Sequence, residues 1–164
     1  METVKGIDRI LLFRLLSQNG EKDASKLAYQ TEHEISSSVD VDSYATKDGR
    51  VQSAGQAEIT ISATSVLAKN DKLVDDLWDA HLKNEIVEIW DIDRSAEATS
   101  GKFKATYYQG YITDYSQNPN AEDDIELSLE FVINGTGARG EATLSEEQAK
   151  VVQYVFEDTT AKQE

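Results

Sequence analysis

Residues 121–133 (AEDDIELSLEFVI) alternate two opposite chemistries with a period of two. Ile125, Leu127, Leu129, Phe131 and Ile133 fall on one side of an extended chain, and Glu122, Asp124, Glu126, Ser128 and Glu130 on the other. A helix would not segregate these residues. The pattern predicts a strand of an antiparallel sheet that rests on a core behind and is wetted in front. What the acid-bearing side faces is then the functional question. A solvated outer surface is the plain answer, and a wall that meets something is the sharper one.

A chain of 164 residues, 39% of them apolar, is one domain's worth of protein with enough material for a sizeable core. With 31 acidic against 16 basic residues the formal charge is -15, which argues against direct binding of a phosphate backbone, an interaction driven by clustered Lys and Arg. Cysteine is absent, so neither disulfides nor thiolate metal sites enter the argument, and assembly in a reducing cytoplasm is compatible. The longest apolar run, residues 10–16, contains Arg14 and is far below the roughly 20 residues needed to span a bilayer, so no membrane partner is expected. No basic segment followed by an apolar core and a small-residue cleavage site is seen at the N-terminus, so no signal peptide is expected.

In chain order, residues 7–16 (IDRILLFRLL) read as a mostly buried strand closed by a turn at 17–20, and 26–35 (KLAYQTEHEI) as a second, with Leu27, Tyr29, Thr31 and His33 on one side. Residues 36–55, rich in Ser, Asp and Gly, are expected as a long loop or as a projecting hairpin. In the hairpin reading the tip is Lys47, Asp48, Gly49 and Arg50, with legs at 39–46 and 50–53. An EF-hand loop opening at Asp40 would need Gly at 45 and Glu at 51, where Ala45 and Val51 stand, so no calcium site is expected. Residues 57–67 alternate as a strand, with Ile59, Ile61 and Ala63 opposed to Glu58, Thr60, Ser62 and Thr64.

A helix is predicted over residues 70–84, with Asn70 as N-cap and a packing stripe of Leu73, Val74, Leu77 and Trp78. Residues 85–93 form a central strand, 94–101 a polar connection, and 103–115 an aromatic strand whose Gly110 marks a bulge or a close backbone approach. The turn at 117–120 returns the chain into the acid-faced strand, which ends at 134–137. Residues 145–148 (SEEQ) have capping-box spacing, predicting a short C-terminal helix over 146–154 before a frayed tail at 159–164. The fold class is therefore mainly β: a two-sheet sandwich, one domain over 1–164, with one flanking helix.

Catalytic chemistry is not legible. His33 and His81 lie far from any nucleophile elbow, no Gly-rich phosphate loop occurs, and carboxylates are too abundant for any chosen pair to mean acid and base. No catalytic, cofactor-binding or metal-ligating residue is assigned. Tyr107, Tyr108, Tyr111 and Tyr115 suggest a sugar-stacking platform, which would make the chain a monomeric carbohydrate-binding module on the same sandwich, although their spacing is irregular.

The ordered segments 6–17 (GIDRILLFRLLS), 26–34 (KLAYQTEHE), 61–71 (ISATSVLAKND), 87–93 (VEIWDID), 107–112 (YYQGYI), 121–135 (AEDDIELSLEFVING) and 142–159 (ATLSEEQAKVVQYVFEDT) resemble the major tail protein, or tail tube protein, family of long, non-contractile-tailed bacteriophages. The resemblance implies a structural virion protein of the tail, without enzymatic activity. Six copies would close into a ring, part of one sheet joining its symmetry mates in an inner barrel. Rings would stack into a hollow tube for genome passage, put together in the bacterial host cytoplasm. It implies as partners the chain itself, the tape measure, tail terminator and distal tail proteins, and DNA that passes without specific binding. On that frame Glu122, Asp124, Glu126 and Glu130 line the lumen, and Lys47, Asp48, Gly49 and Arg50 contact the neighbouring ring.

Overall fold

A computed structural model of the chain describes residues 2–99 and 102–143. The elements are β1 (Arg9–Leu15), β2 (Gln30–Thr46), β3 (Gly49–Val66), α1 (Lys72–Lys83), β4 (Val87–Thr99), β5 (Lys102–Gln117) and β6 (Glu126–Thr143). All strand pairs are antiparallel and join in one six-stranded sheet ordered β1-β4-β5-β6-β3-β2. The mainly β, antiparallel fold with a flanking helix is as expected, with one amendment: the two layers of the anticipated sandwich are the ends of a single curled ladder. Phe13 of β1 stacks on Phe131 of β6 at 5.4 Å although two strands separate them in the sheet, so the curl brings the layers face to face.

The concave side of that curl holds the main core, and a smaller cluster of Ile10, Leu12 and Ile92 lies on the other side of β1 and β4. Leu11, Phe13 and Leu15 of β1 meet Ile61 and Ala63 of β3, Val87 and Ile89 of β4, Ile112 of β5 and the apolar row Leu127, Leu129, Phe131 and Ile133 of β6. At roughly 25 cal/mol per Å² of apolar surface removed from water, these rows decide the register, because a one-residue slip would expose them all. α1 closes the same side. Asp71 caps it, accepting from the Leu73 amide at 3.1 Å, so the N-cap lies one residue after the expected Asn70. Leu73, Val74, Leu77 and Ala80 form the buried stripe, whereas Trp78, expected within it, is 42% exposed. Asn84 ends the helix in the left-handed conformation that Asn tolerates.

The ends of the curl are tied by side chains. Gln30 of β2 donates its amide to the Leu11 carbonyl at 2.7 Å and accepts from the Leu11 amide at 3.2 Å. Two residues along, Phe13 exchanges both backbone bonds with Ser25 at 2.8 Å. The outward peptide groups of Leu11 and Phe13 are thereby satisfied, which blocks the middle of that edge against further pairing.

Several expected boundaries move. The acid-faced strand starts at Glu126 and not at residue 121, because the Asn120 side chain accepts from the Glu122 and Asp123 amides and holds the preceding residues in a turn. It also runs on to Thr143 beyond the expected stop: Gly135 and Gly137, at φ 70° and 79°, form an irregularity and not an end. β2 begins at Gln30, leaving Leu27 in the core and Tyr29 outside the strand. The segment read as a loop or hairpin is a hairpin, longer than its expected legs. Gly110 is the close approach anticipated, since a Cβ there would lie 2.4 Å from the Val132 carbonyl oxygen. The predicted C-terminal helix and frayed tail lie outside the described residues.

Candidate functional site

The convex side of β2, β3, β6 and the C-terminal part of β5 carries an acidic surface. Cross-strand registers place Asp114, Glu130, Ser62 and Glu34 in one row, Ser116, Ser128, Thr64 and Glu32 in the next, and Tyr111, Val132, Thr60 and Ser36 in a third. Glu126 and Glu58, opposite Val66 and Ser38, flank the rows. Six carboxylates thus share a surface on which these strands place hydroxyls but no lysine or arginine. None of the six makes an ion pair among the described residues. Asp114 and Glu130 stand directly opposite each other, a like-charge pairing that costs stability and that alternation alone does not require.

The buried carboxylates are treated differently. Asp91, 4% exposed on the concave side, is gripped by Arg9 and by His33 Nε2 at 3.3 Å. Burial pushes its pKa up, but the hydrogen bonds from His33 and Arg9 outweigh this and hold it below the ordinary carboxylate value. Glu88, 3% exposed, takes a forked contact from Arg14 at 2.9 and 3.3 Å and a hydrogen bond from the Tyr107 hydroxyl at 2.5 Å. Where an acid is buried, this chain supplies an arginine; to the six unburied acids of β2, β3, β5 and β6 it supplies none among the described residues.

Two of the expected face residues are elsewhere. Glu122 and Asp124 sit in the connection between β5 and β6, at the end of the sheet opposite the hairpin tip, while Glu126 and Glu130 are on the face as expected. Glu32, Glu34, Glu58 and Asp114 were missed. The signal was present for the first three, as acids at alternate positions, whereas Asp114 reaches the face only through the bulge at Thr113. Lys47, Asp48, Gly49 and Arg50 form the exposed tip of the β2–β3 hairpin, whose residues 38–56 are exposed throughout. The four tyrosines make no common platform: Tyr107 bonds Glu88, Tyr108 is buried, Tyr115 packs on Trp78 at 4.7 Å, and Tyr111 alone is exposed.

The acidic face is bounded by two open edges. β2 has no strand beyond it among the described residues. On the other flank β4 stops pairing with β5 at Val87 and Gly110, so among the described residues the segment of β5 from Tyr111 to Gln117 has a strand on one side only, with His81 Nδ1 of α1 meeting the Ile112 carbonyl at 2.9 Å. Between β1 and β2 lies a cavity of about 750 Å³ lined by Arg9, Lys26, Gln30 and His33. Burial, with the Arg94 charge adding, lowers the Lys26 pKa to about 8. Among the described residues no group of three or more His, Asp or Glu is arranged to hold a metal, and no helix is long and apolar enough to cross a membrane.

Residues 3–139 match the family model described as phage tail tube protein. A protein named as a tail protein of Staphylococcus phage phiMR25 is 35% identical over 160 residues, spanning 93% of this chain and 81% of the relative. Among solved structures, a chain of the SPP1 tail tube superposes with a TM-score of 0.77 at 18% identity, covering 98% of this chain and 96% of that one. A chain from the tail of an empty gene transfer agent particle, refined with C6 symmetry, gives 0.64 at 14% identity, covering 83% and 98%.

Proposed function

Because the chain belongs to the phage tail tube protein family, we propose that six copies close into a ring whose inner wall is the acidic face, and that rings stack into the virion's tail tube for genome passage. The observation that carries this reading is the placement of six carboxylates, without a cation, between two unpaired strand edges. Adding β2 of one copy to the part of β5 that lacks a second strand pairs both edges, apart from the Ile112 carbonyl that His81 Nδ1 already meets at 2.9 Å, and continues the acidic face across the seam. The C6 symmetry of the gene transfer agent tail supports the count.

Such a wall suits a conduit for duplex DNA. Phosphates that met lysine or arginine would release counterions and bind; carboxylates repel them and let the polymer slide. The hydroxyls between the acids keep the surface wet. The same charge opposes assembly, since six copies at -15 each sum to about -90 per ring. The β2–β3 hairpin, exposed and projecting from one end, serves the contact between rings. The tape measure would occupy the lumen, with terminator and distal tail proteins at the ends, all assembled in the host cytoplasm.

Charge reversal tests the wall. Glu126→Lys with Glu130→Lys, introduced into the phage, should leave tubes of normal diameter in negative-stain images and slow genome ejection at least tenfold. Ejection at the normal rate from intact virions would refute an acidic lumen.

A further inference from the structure

Tyr29 combines two costs. It is 60% exposed and it holds a left-handed backbone, φ 55°, fixed by the hydrogen bond from the Val66 amide to its carbonyl at 3.0 Å. Asn or Gly would occupy that backbone with less strain and would expose no ring to water. The other two non-glycine residues at positive φ among the described ones, Asn70 and Asn84, are of the tolerant type.

On the opposite flank of the sheet is a shallow groove of about 340 Å³ lined by Val74, Asp75, Trp78, Tyr115 and Gln117. Its floor is aromatic, with Trp78 and Tyr115 tilted against each other at 4.7 Å. Its rim is polar: the Asp75 carboxylate, and the Gln117 carbonyl oxygen left over when the amide nitrogen donates to the Tyr115 hydroxyl at 2.9 Å. The groove and Tyr29 lie at one level of the sheet, because Gln30, Ser65, Leu127 and Gln117 are successive partners across four strands.

We propose that Tyr29 of one copy inserts into the Trp78–Tyr115 groove of its lateral neighbour, as the aromatic anchor of the subunit seam; this rests on the ring reading above. The ring meets an aromatic floor, and its hydroxyl donates to Asp75 or Gln117 at the rim. An anchor of this kind offsets the repulsion between two strongly acidic surfaces, which backbone pairing of one short strand segment does poorly. The contact is heterologous, knob on one flank and socket on the other, so it propagates around a ring.

The absence of cysteine allows a direct test. Tyr29→Cys and Gln117→Cys are combined, tubes are assembled at a protein concentration raised to offset the lost ring, and they are treated with a thiol cross-linker of under about 10 Å. Within one copy these positions are separated by three strand spacings, about 14 Å, beyond its reach. A denaturing-gel ladder of covalent oligomers is expected from the double variant. An equimolar mixture of the single variants should give dimers only, and Tyr29→Cys alone none. Tyr29→Asn, which keeps the left-handed backbone and removes the ring, should raise the protein concentration needed for assembly about tenfold or more. Double-variant tubes that yield no ladder, or tubes of Tyr29→Asn that form at the wild-type concentration, would overturn the anchor while leaving the ring reading intact, and dimers from the Tyr29→Cys variant alone would overturn it by showing like flanks in contact. Wild-type protein that forms neither rings nor tubes would remove both readings.

Discussion

Asp91 and Glu130 show how the same chemistry is given opposite settings. Asp91 is held ionised by Arg9 and His33, and its folded pKa lies below the unfolded one. The stability it contributes is therefore fully present above the unfolded value near 4 and is lost as pH falls through the folded value. Asp91→Asn should lower stability at neutral pH by about 2 kcal/mol, less than the ~3–5 of a fully buried pair because Arg9 keeps contact with water. Urea midpoints measured across pH should show the gap between wild type and variant steady at pH 5–7 and narrowing below pH 4. A gap that widened on acidification would contradict the arrangement. Glu130 has no such partner among the described residues and stands half-buried beside Asp114.

At the scale of the element, β2–β3 behaves as two devices in series. Its lower part is sheet, held by β6 and by the Gln30 clasp on Leu11; its outer part, beyond the bulge at Asp40, is exposed and pairs with no other strand among the described residues. The Thr46 hydroxyl closes the tip on the Gly49 carbonyl, and Gly49 takes φ 118°, open to glycine and strained for other residues. Deleting residues 47–50 should leave the far-ultraviolet spectrum and the melting temperature nearly unchanged, because no core contact is lost. Negative-stain images should then show rings or free subunits in place of long tubes, and tubes of normal length would exclude the hairpin from the ring-to-ring contact. Much of this element was readable beforehand. Asp48-Gly49 marks a turn by its chemistry, and the alternation at residues 57–67 fixes the side of Ile59, Ile61 and Ala63. What alternation could not supply was continuity through Ser- and Gly-rich sequence, which pairs here because its partner strand supplies the hydrogen bonds that composition does not advertise. The same limit explains the acid-faced strand: the period is correct from Glu126 onward, but the Asn120 side chain just ahead of the pattern took the Glu122 and Asp123 amides. Trp78 fits the helical stripe by spacing, but it lies against Tyr115, on the stretch of β5 that β4 does not pair with, and is 42% exposed.

For the whole molecule, the charge of -15 sets the conditions of assembly. Repulsion between copies extends over a Debye length of roughly 30 Å at 0.01 M salt and about 8 Å at 0.15 M. Tube formation followed by light scattering should therefore start at lower protein concentration as sodium chloride rises from 10 to 150 mM, by about tenfold or more, and inhibition by salt over that range would mean that attraction between opposite charges dominates the seam. Mainly β architecture, the helix and the acidic row of β6 could be read from periodicity. The joining of two layers into one curled sheet could not, because it depends on which strands are neighbours across long separations, and no local pattern encodes that. The blocking of the middle of β1 by Ser25 and Gln30 belongs to the same class, and it limits how the molecule can go wrong. In the proposed ring, a subunit with two usable flanks has a lateral valence of two, like a bead drilled through once. Errors of closure then yield ribbons or split hoops with loose ends that can still find each other, whereas a third open flank would permit branching and an irreversible gel.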